Sequence, residues 1–214
     1  MIYRSKAPLR IGLAGGGTDV SPYSDQFGGA ILNATISLSA YAAIETLTEN
    51  KIIIEALDRD EQQSFDLLNV LPIDGTLDLL KGVYNRIQKD YDPPVKGFRL
   101  STFVDAPAGS GLGTSSTLVV AVLGAFKEML KLPLDEYKIA QYAYDIERND
   151  LQLAGGKQDQ YAATFGGVNF MEFYAGDKVI VNPLRIKPQY LHELENNLVL
   201  YFTSTSRESA AVIK

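Results

Sequence analysis

Asp105-Ala-Pro-Ala-Gly-Ser-Gly-Leu-Gly-Thr-Ser-Ser-Thr-Leu118 joins a stretch of strand character, residues 97–104, to an apolar-periodic stretch that predicts a helix from near Ser115. The glycines at 109, 111 and 113 let the backbone turn its N–H groups toward one point, and the hydroxyl residues Thr114, Ser115, Ser116 and Thr117 open the helix. Unpaired amides and the positive end of the helix dipole make such a junction a receptor for phosphate. The plain alternative is a glycine-rich turn with a Thr/Ser cap. The hydroxyl cluster and the acidic residues downstream favour phosphate.

Other phosphate motifs fit badly. A Walker A loop needs Gly-Lys-Ser/Thr, and no lysine stands between Lys96 and Lys127. A dinucleotide fingerprint wants its last glycine where Thr114 stands, and an acid closing a second strand roughly 20 residues on. Neither Ser110, Ser115 nor Ser116 sits in a G-x-S-x-G elbow. A phosphate loop without its own lysine must have its charge offset by a metal ion or by a basic residue from elsewhere.

Composition narrows the classes. The chain has 214 residues, 46% of them hydrophobic, and a net charge of −6. That charge argues against nucleic acid as the main partner. No apolar run reaches membrane-spanning length, and Met1-Ile-Tyr-Arg-Ser-Lys6 is not followed by a signal-peptide core. The absence of cysteine fits a cytoplasmic protein. With one histidine and no cysteine, a zinc site of nitrogen and sulfur ligands is excluded. The lone His192 lies in a short amphipathic segment and is expected to face solvent.

Along the chain, residues 10–14, 30–48, 51–57 and 63–68 read as strands. A helix is predicted over 77–89, capped by Thr76 and ended by Asp92-Pro-Pro94. After the helix that follows the loop come helices over 135–148 and 156–164, then a hairpin of 166–173 and 178–184. A composition shift near Ile186 suggests a second unit: a short helix, a strand at 198–202 and a helix begun at 206–214. The expected division is one domain over 1–185 and the start of another over 186–214, so that the chain is a fragment of a longer protein.

Three further places carry chemistry. At ~100° per residue, Glu147 projects into the apolar arc of its helix, between Ala143 and Ala140. A carboxylate there must be paired or metal-bound to avoid a desolvation penalty of several kcal/mol; the plain alternative is a frayed last turn reaching water. Asp159 lies in Gly155-Gly-Lys-Gln-Asp-Gln-Tyr161, where paired glycines let a ligand approach the backbone. Arg10 runs into Gly15-Gly-Gly-Thr-Asp19, a turn that can admit a polyhydroxyl ligand and offer Asp19 to vicinal hydroxyls.

The loop from Pro107 to Thr117 resembles the second motif of the GHMP small-molecule kinases. Ala7-Pro8-x-Arg10 with Gly15-Gly-Gly-Thr-Asp19 resembles that superfamily's N-terminal motif, and Glu147 with Gly155-Gly-Lys-Gln-Asp159-Gln matches its acids in order and spacing. The form Ala-Pro-Leu-Arg-Ile-x-x-Ala-Gly-Gly-Gly-Thr-Asp is most like the sugar 1-kinase branch that takes D-glycero-D-manno-heptose 7-phosphate, with the L-fucose kinases beside it. The resemblance implies a two-domain α+β fold: an N-terminal β/α domain like ribosomal protein S5, then the start of a ferredoxin-like domain.

It implies ATP and a sugar phosphate as substrates, with Mg²⁺ as cofactor. Pro107, Gly109, Ser110, Gly111, Leu112, Gly113, Thr114, Ser115 and Ser116 would hold the nucleotide, and Ser116 and Glu147 the metal. Asp159 and Arg10 would be catalytic. Gly16, Gly17, Thr18, Asp19 and Gly156 would bind the sugar. A non-catalytic sugar or nucleotide sensor on the same fold is the rival; Asp159 beside Glu147 and Arg10 disfavours it. A serine hydrolase lacks its elbow and has only His192 as base.

Overall fold

Alternation decides the sheet. In β3 (Lys51–Ala56) and β5 (Phe98–Val104) every second residue is buried: Ile52, Ile54 and Ala56 in one, Phe98, Leu100, Thr102 and Val104 in the other. One face is thus covered and the other left to solvent, as antiparallel-rich sheets allow. The architecture comes from a computed structural model describing residues 1–94, 96–201 and 203. Seven strands run in the order β4-β3-β5-β2-β6-β7, with β1 (Ile2–Ala14) paired to β2 (Gly29–Thr46). The strand β4 spans Glu61–Asp66, β6 Val168–Phe173 and β7 Val179–Pro183. β3 and β5 pair parallel; the other pairs are antiparallel.

The helix after the glycine loop, α3 (Thr114–Leu130), is the core of the covered face. Val119, Val122, Leu123 and Phe126 are buried on the expected stripe, and Val120, Ala121 and Ala125 are buried beside them. Phe126 meets Phe98 of β5 and Tyr84 of α2 (Asp78–Tyr91), with ring centroids 5.5 and 6.4 Å apart. A smaller core of Ile31, Ala140, Tyr161, Met171 and Phe173 holds α4 (Glu136–Asp145) and α5 (Gln158–Phe165) near the β6–β7 hairpin. The short helix α1 covers Tyr23–Phe27.

Several expectations need correction. β1 begins at Ile2, eight residues before the predicted strand start at Arg10. Pro8 obscured it: proline donates no ladder bond, and the register with β2 shifts between Pro8 and Arg10. Thr76 does not cap α2. Leu77 stands there with φ of 55°, and Asp78 instead accepts from the amides of Asp74 and Gly75. The helix predicted over 135–148 stops at Asp145 and passes into a π turn, Ile146–Asp150, closed by Leu151 N donating to Ile146 O.

Downstream, α6 (Pro188–Asn197) buries none of its residues, and His192 is exposed as expected. No strand forms over 198–201, although one was expected at 198–202. The helix expected over 206–214 lies outside the described residues. No helix among the described residues is long and apolar enough to cross a membrane.

Candidate functional site

The glycine loop ends on a helix whose first turn no side chain caps, in contrast to α4, where Asp135 accepts from Lys138 N. Gly109, Gly111 and Gly113 all have positive φ, near 75–79°. Pro107 and Ser110 close a turn, Ser110 N donating to Pro107 O at 3.2 Å. Leu112 sinks into the core and anchors the loop by its side chain, so only its backbone faces outward chemistry. The hydroxyls of Ser110 and Thr117 are buried and have no hydrogen-bond partner. The uncapped first-turn amides of α3, with the glycine turns before them, form a cradle suited to phosphate oxygens.

Arg10 ties this loop to the far acid. Just past the shift in β1 register Arg10 pairs with Thr35 of β2, and its amide donates to Leu112 O at 3.2 Å. Its Nη1 donates to Gly111 O at 2.6 Å, and its Nε to Asp159 Oδ1 at 2.6 Å. Asp159, in the first turn of α5, therefore stands directly across from the loop. A Cβ built on Gly113 would lie 3.1 Å from Asp159 Cγ, so a side chain there would have to push the carboxyl back by a few tenths of an ångström.

Glu147 is buried to 1% exposure, on the π turn rather than in a regular last helical turn. Ser115 donates to its Oε1 at 3.1 Å and Gln160 to its Oε2 at 2.5 Å; the same Gln160 amide donates to Ser116 Oγ at 3.0 Å. Burial pushes the Glu147 carboxyl above its ordinary range, against the opposing pull of Arg148 and the hydrogen bonds. A buried carboxylate with two hydroxyls beside an anion cradle is an all-oxygen donor set. That suits Mg²⁺, which takes one or two carboxylates plus substrate phosphates. The frayed-turn alternative for Glu147 does not hold.

Of the residues expected around the sugar, Gly16 and Gly17 are exposed, and a Cβ on either meets nothing within 4 Å. Thr18 turns its hydroxyl inward, donating to Gly15 O and accepting from Ala30 N. Asp19 is 6% exposed, and its Oδ2 accepts from Gln158 N at 2.8 Å, joining the glycine turn to the start of α5. A Cβ on Gly156 would fall 2.0 Å from that oxygen. Sequence reading passed over Gln160; its place directly after Asp159, on a helix whose far side is core, is the signal that could have found it.

Residues 78–167 match the GHMP kinases N terminal domain. Among relatives, it is 53% identical over 206 residues to the D-glycero-alpha-D-manno-heptose 7-phosphate kinase of Campylobacter jejuni, covering 96% of this chain and 61% of that protein. A crystal structure of a D-glycero-D-manno-heptose 1-phosphate kinase from Bacteroides thetaiotaomicron superposes with a TM-score of 0.88 at 58% identity, over 91% of this chain and 63% of that one. The galactokinase of Lactococcus lactis shares the fold, with a TM-score of 0.72 at 23% identity over 87% of this chain and 48% of that one. The chain thus spans about three fifths of the length of its two similar heptose phosphate kinases.

Proposed function

We propose that the protein transfers the γ-phosphoryl group of ATP to the anomeric hydroxyl of D-glycero-D-manno-heptose 7-phosphate, giving the 1,7-bisphosphate. The observation that carries this is the placement of Asp159 against the phosphate cradle, with Arg10 bonded to both. Amides of Gly109 to Ser115 hold the β- and γ-phosphates. A cavity of about 630 Å³, which Leu118 of α3 lines together with Leu79, Leu151, Leu153 and the charged Arg59, Glu61 and Asp78, offers apolar wall to the flat faces of a nucleobase.

Asp159 orients the sugar hydroxyl and accepts its proton as the oxygen bonds to phosphorus and the bond to the ADP oxygen breaks. Arg10 keeps that carboxylate in place and supplies the cation the loop lacks. Positioning and charge stabilisation dominate such transfers. Ser116 and Glu147 would hold Mg²⁺, with Ser115 and Gln160 fixing the Glu147 carboxylate. The helix dipole contributes at most about 2 kcal/mol, so bound Mg²⁺ would supply most of the neutralisation of the triphosphate. Gly16 and Gly17 offer open backbone to the sugar, while Asp19 and Gly156 fix where α5 begins.

The choice of heptose phosphate follows two relatives above 50% identity, whose names carry the phosphate differently, at C7 and at C1. A coupled ADP-release screen against heptose 7-phosphate, heptose 1-phosphate, mannose, fucose, galactose and mevalonate decides it. Turnover with the 7-phosphate and a 1,7-bisphosphate product is expected. Turnover with fucose or galactose alone would move the substrate to another sugar. Nucleotide binding without turnover on any of them would leave a sensor.

A further inference from the structure

We propose that Arg86, on α2, is a positioning residue for Glu147: it clamps both ends of the π turn that carries this carboxylate and so sets the affinity of the phosphate site for its divalent cation. The inference rests on Glu147 being the group that holds the cation.

The turn Ile146–Asp150 is flanked by two acids, Asp145 before it and Asp150 at its end. Arg86 reaches both. Its Nη1 lies 3.1 Å from Asp150 Oδ1 and its Nη2 3.4 Å from Asp145 Oδ2, while its Nε lies 3.4 Å from Asp90 Oδ2. The guanidinium lies over the Tyr142 ring at 5.3 Å and is 13% exposed. Asp145 is held from the other side by Gln141 and Asn149, which both donate to its Oδ1. One guanidinium therefore collects three carboxylates that would otherwise repel one another.

A second contact lies on the same face of α2, four residues earlier. A Cβ on Gly82 would stand 3.0 Å from Leu151 Cδ1 and 3.3 Å from Ile146 Cγ2, so α2 approaches the turn as closely as glycine permits. Gly82 sets the distance and Arg86 the grip. π turns are single insertions that local sequence does not favour and that gather at functional sites; this one needs an outside hold. Leu153 N donating to Glu147 O at 2.8 Å carries the constraint past the turn. If the clamp opens, Asp145 and Asp150 repel, the turn leaves α2, and the Glu147 oxygens lose their register with Ser115 and Ser116.

The test is Mn²⁺ uptake by the protein in the presence of a non-hydrolysable ATP analogue, read by the loss of the free-ion EPR signal, beside analogue binding without metal and thermal melts. Arg86→Met is expected to weaken Mn²⁺ about 10–100-fold, the range for residues that orient a metal ligand, and to leave metal-free analogue binding unchanged. Arg86→Lys keeps the charge but not the fork, and falls between. Arg86→Met/Asp150→Asn, which removes one repelling charge, recovers part of the loss and serves if the single variant does not fold. A lowered melting temperature with wild-type Mn²⁺ affinity in these variants overturns the clamp alone. Wild-type protein that takes up no Mn²⁺ overturns the assignment of Glu147, and the clamp's role with it.

Discussion

Arg10 Nε and Asp159 Oδ1 lie 2.6 Å apart, and the same guanidinium holds the carbonyl of Gly111. The pair spans 149 positions of sequence and ties a strand, a loop and a helix into one site. Because both side chains are largely buried, at 15% and 25% exposure, their geometry is fixed before any substrate arrives. Preorganisation of this kind is what phosphoryl transfer needs from a protein.

Asp159→Asn should lower kcat by roughly 10²–10⁴ and leave nucleotide affinity near wild type, as loss of a proton acceptor does. Arg10→Lys should lower kcat and raise the KM for ATP together, since a point charge cannot serve Asp159 and Gly111 at once. Steady-state kinetics in ATP and sugar separate the two. Near-normal turnover in Asp159→Asn would remove that residue from its role.

Gly113→Ala and Gly111→Ala form a matched pair. Each forces alanine to a φ near +76–79°, a strain of roughly 1 kcal/mol. At Gly111 the new methyl meets nothing within 4 Å, whereas at Gly113 it presses on the Asp159 carboxyl. Equal losses of thermal stability with a much larger loss of kcat in Gly113→Ala are expected.

The Glu147 carboxyl titrates above its ordinary value of 4.5 because burial penalises its charge. The folded protein therefore binds a proton more tightly than the unfolded chain. In the absence of metal, stability falls as pH rises from 4.5 through the raised folded value and is then level. Glu147→Gln should melt higher than wild type at neutral pH without metal, by ~2–4 °C per kcal/mol recovered. In wild type, Mg²⁺ half-saturation should tighten as pH rises through the same window, because only the ionised carboxylate ligates. A pH-independent metal titration would count against Glu147 as a ligand.

Gly156→Ala should drive Asp19 from its bond to Gln158 N, since the added methyl would stand 2.0 Å from Asp19 Oδ2. Calorimetry should then show weakened sugar phosphate binding with ATP-analogue binding retained. Equal damage to both ligands would place Asp19 in general folding rather than at the sugar side.

What was visible in the sequence was local. The glycine loop, the helix after it and the buried position of Glu147 follow from spacing and periodicity alone. The first eight residues of β1 were hidden because Pro8 interrupts their strand pattern. The π turn was hidden because a 3.6-residue period assumes no insertion. Asp19 was expected to be free for a ligand, yet one of its oxygens is committed to an amide 139 positions away. Gln160 and Arg86 escaped for the same reason: each acts on partners that only the folded chain brings near.

A crystal structure of the protein with Mg²⁺ and a non-hydrolysable ATP analogue would decide whether cradle and acid form one site. We predict triphosphate oxygens on the amides of Gly109 to Ser115, with the terminal phosphate turned toward Asp159. Triphosphate bound anywhere else, or a terminal phosphate turned away from Asp159, would contradict it.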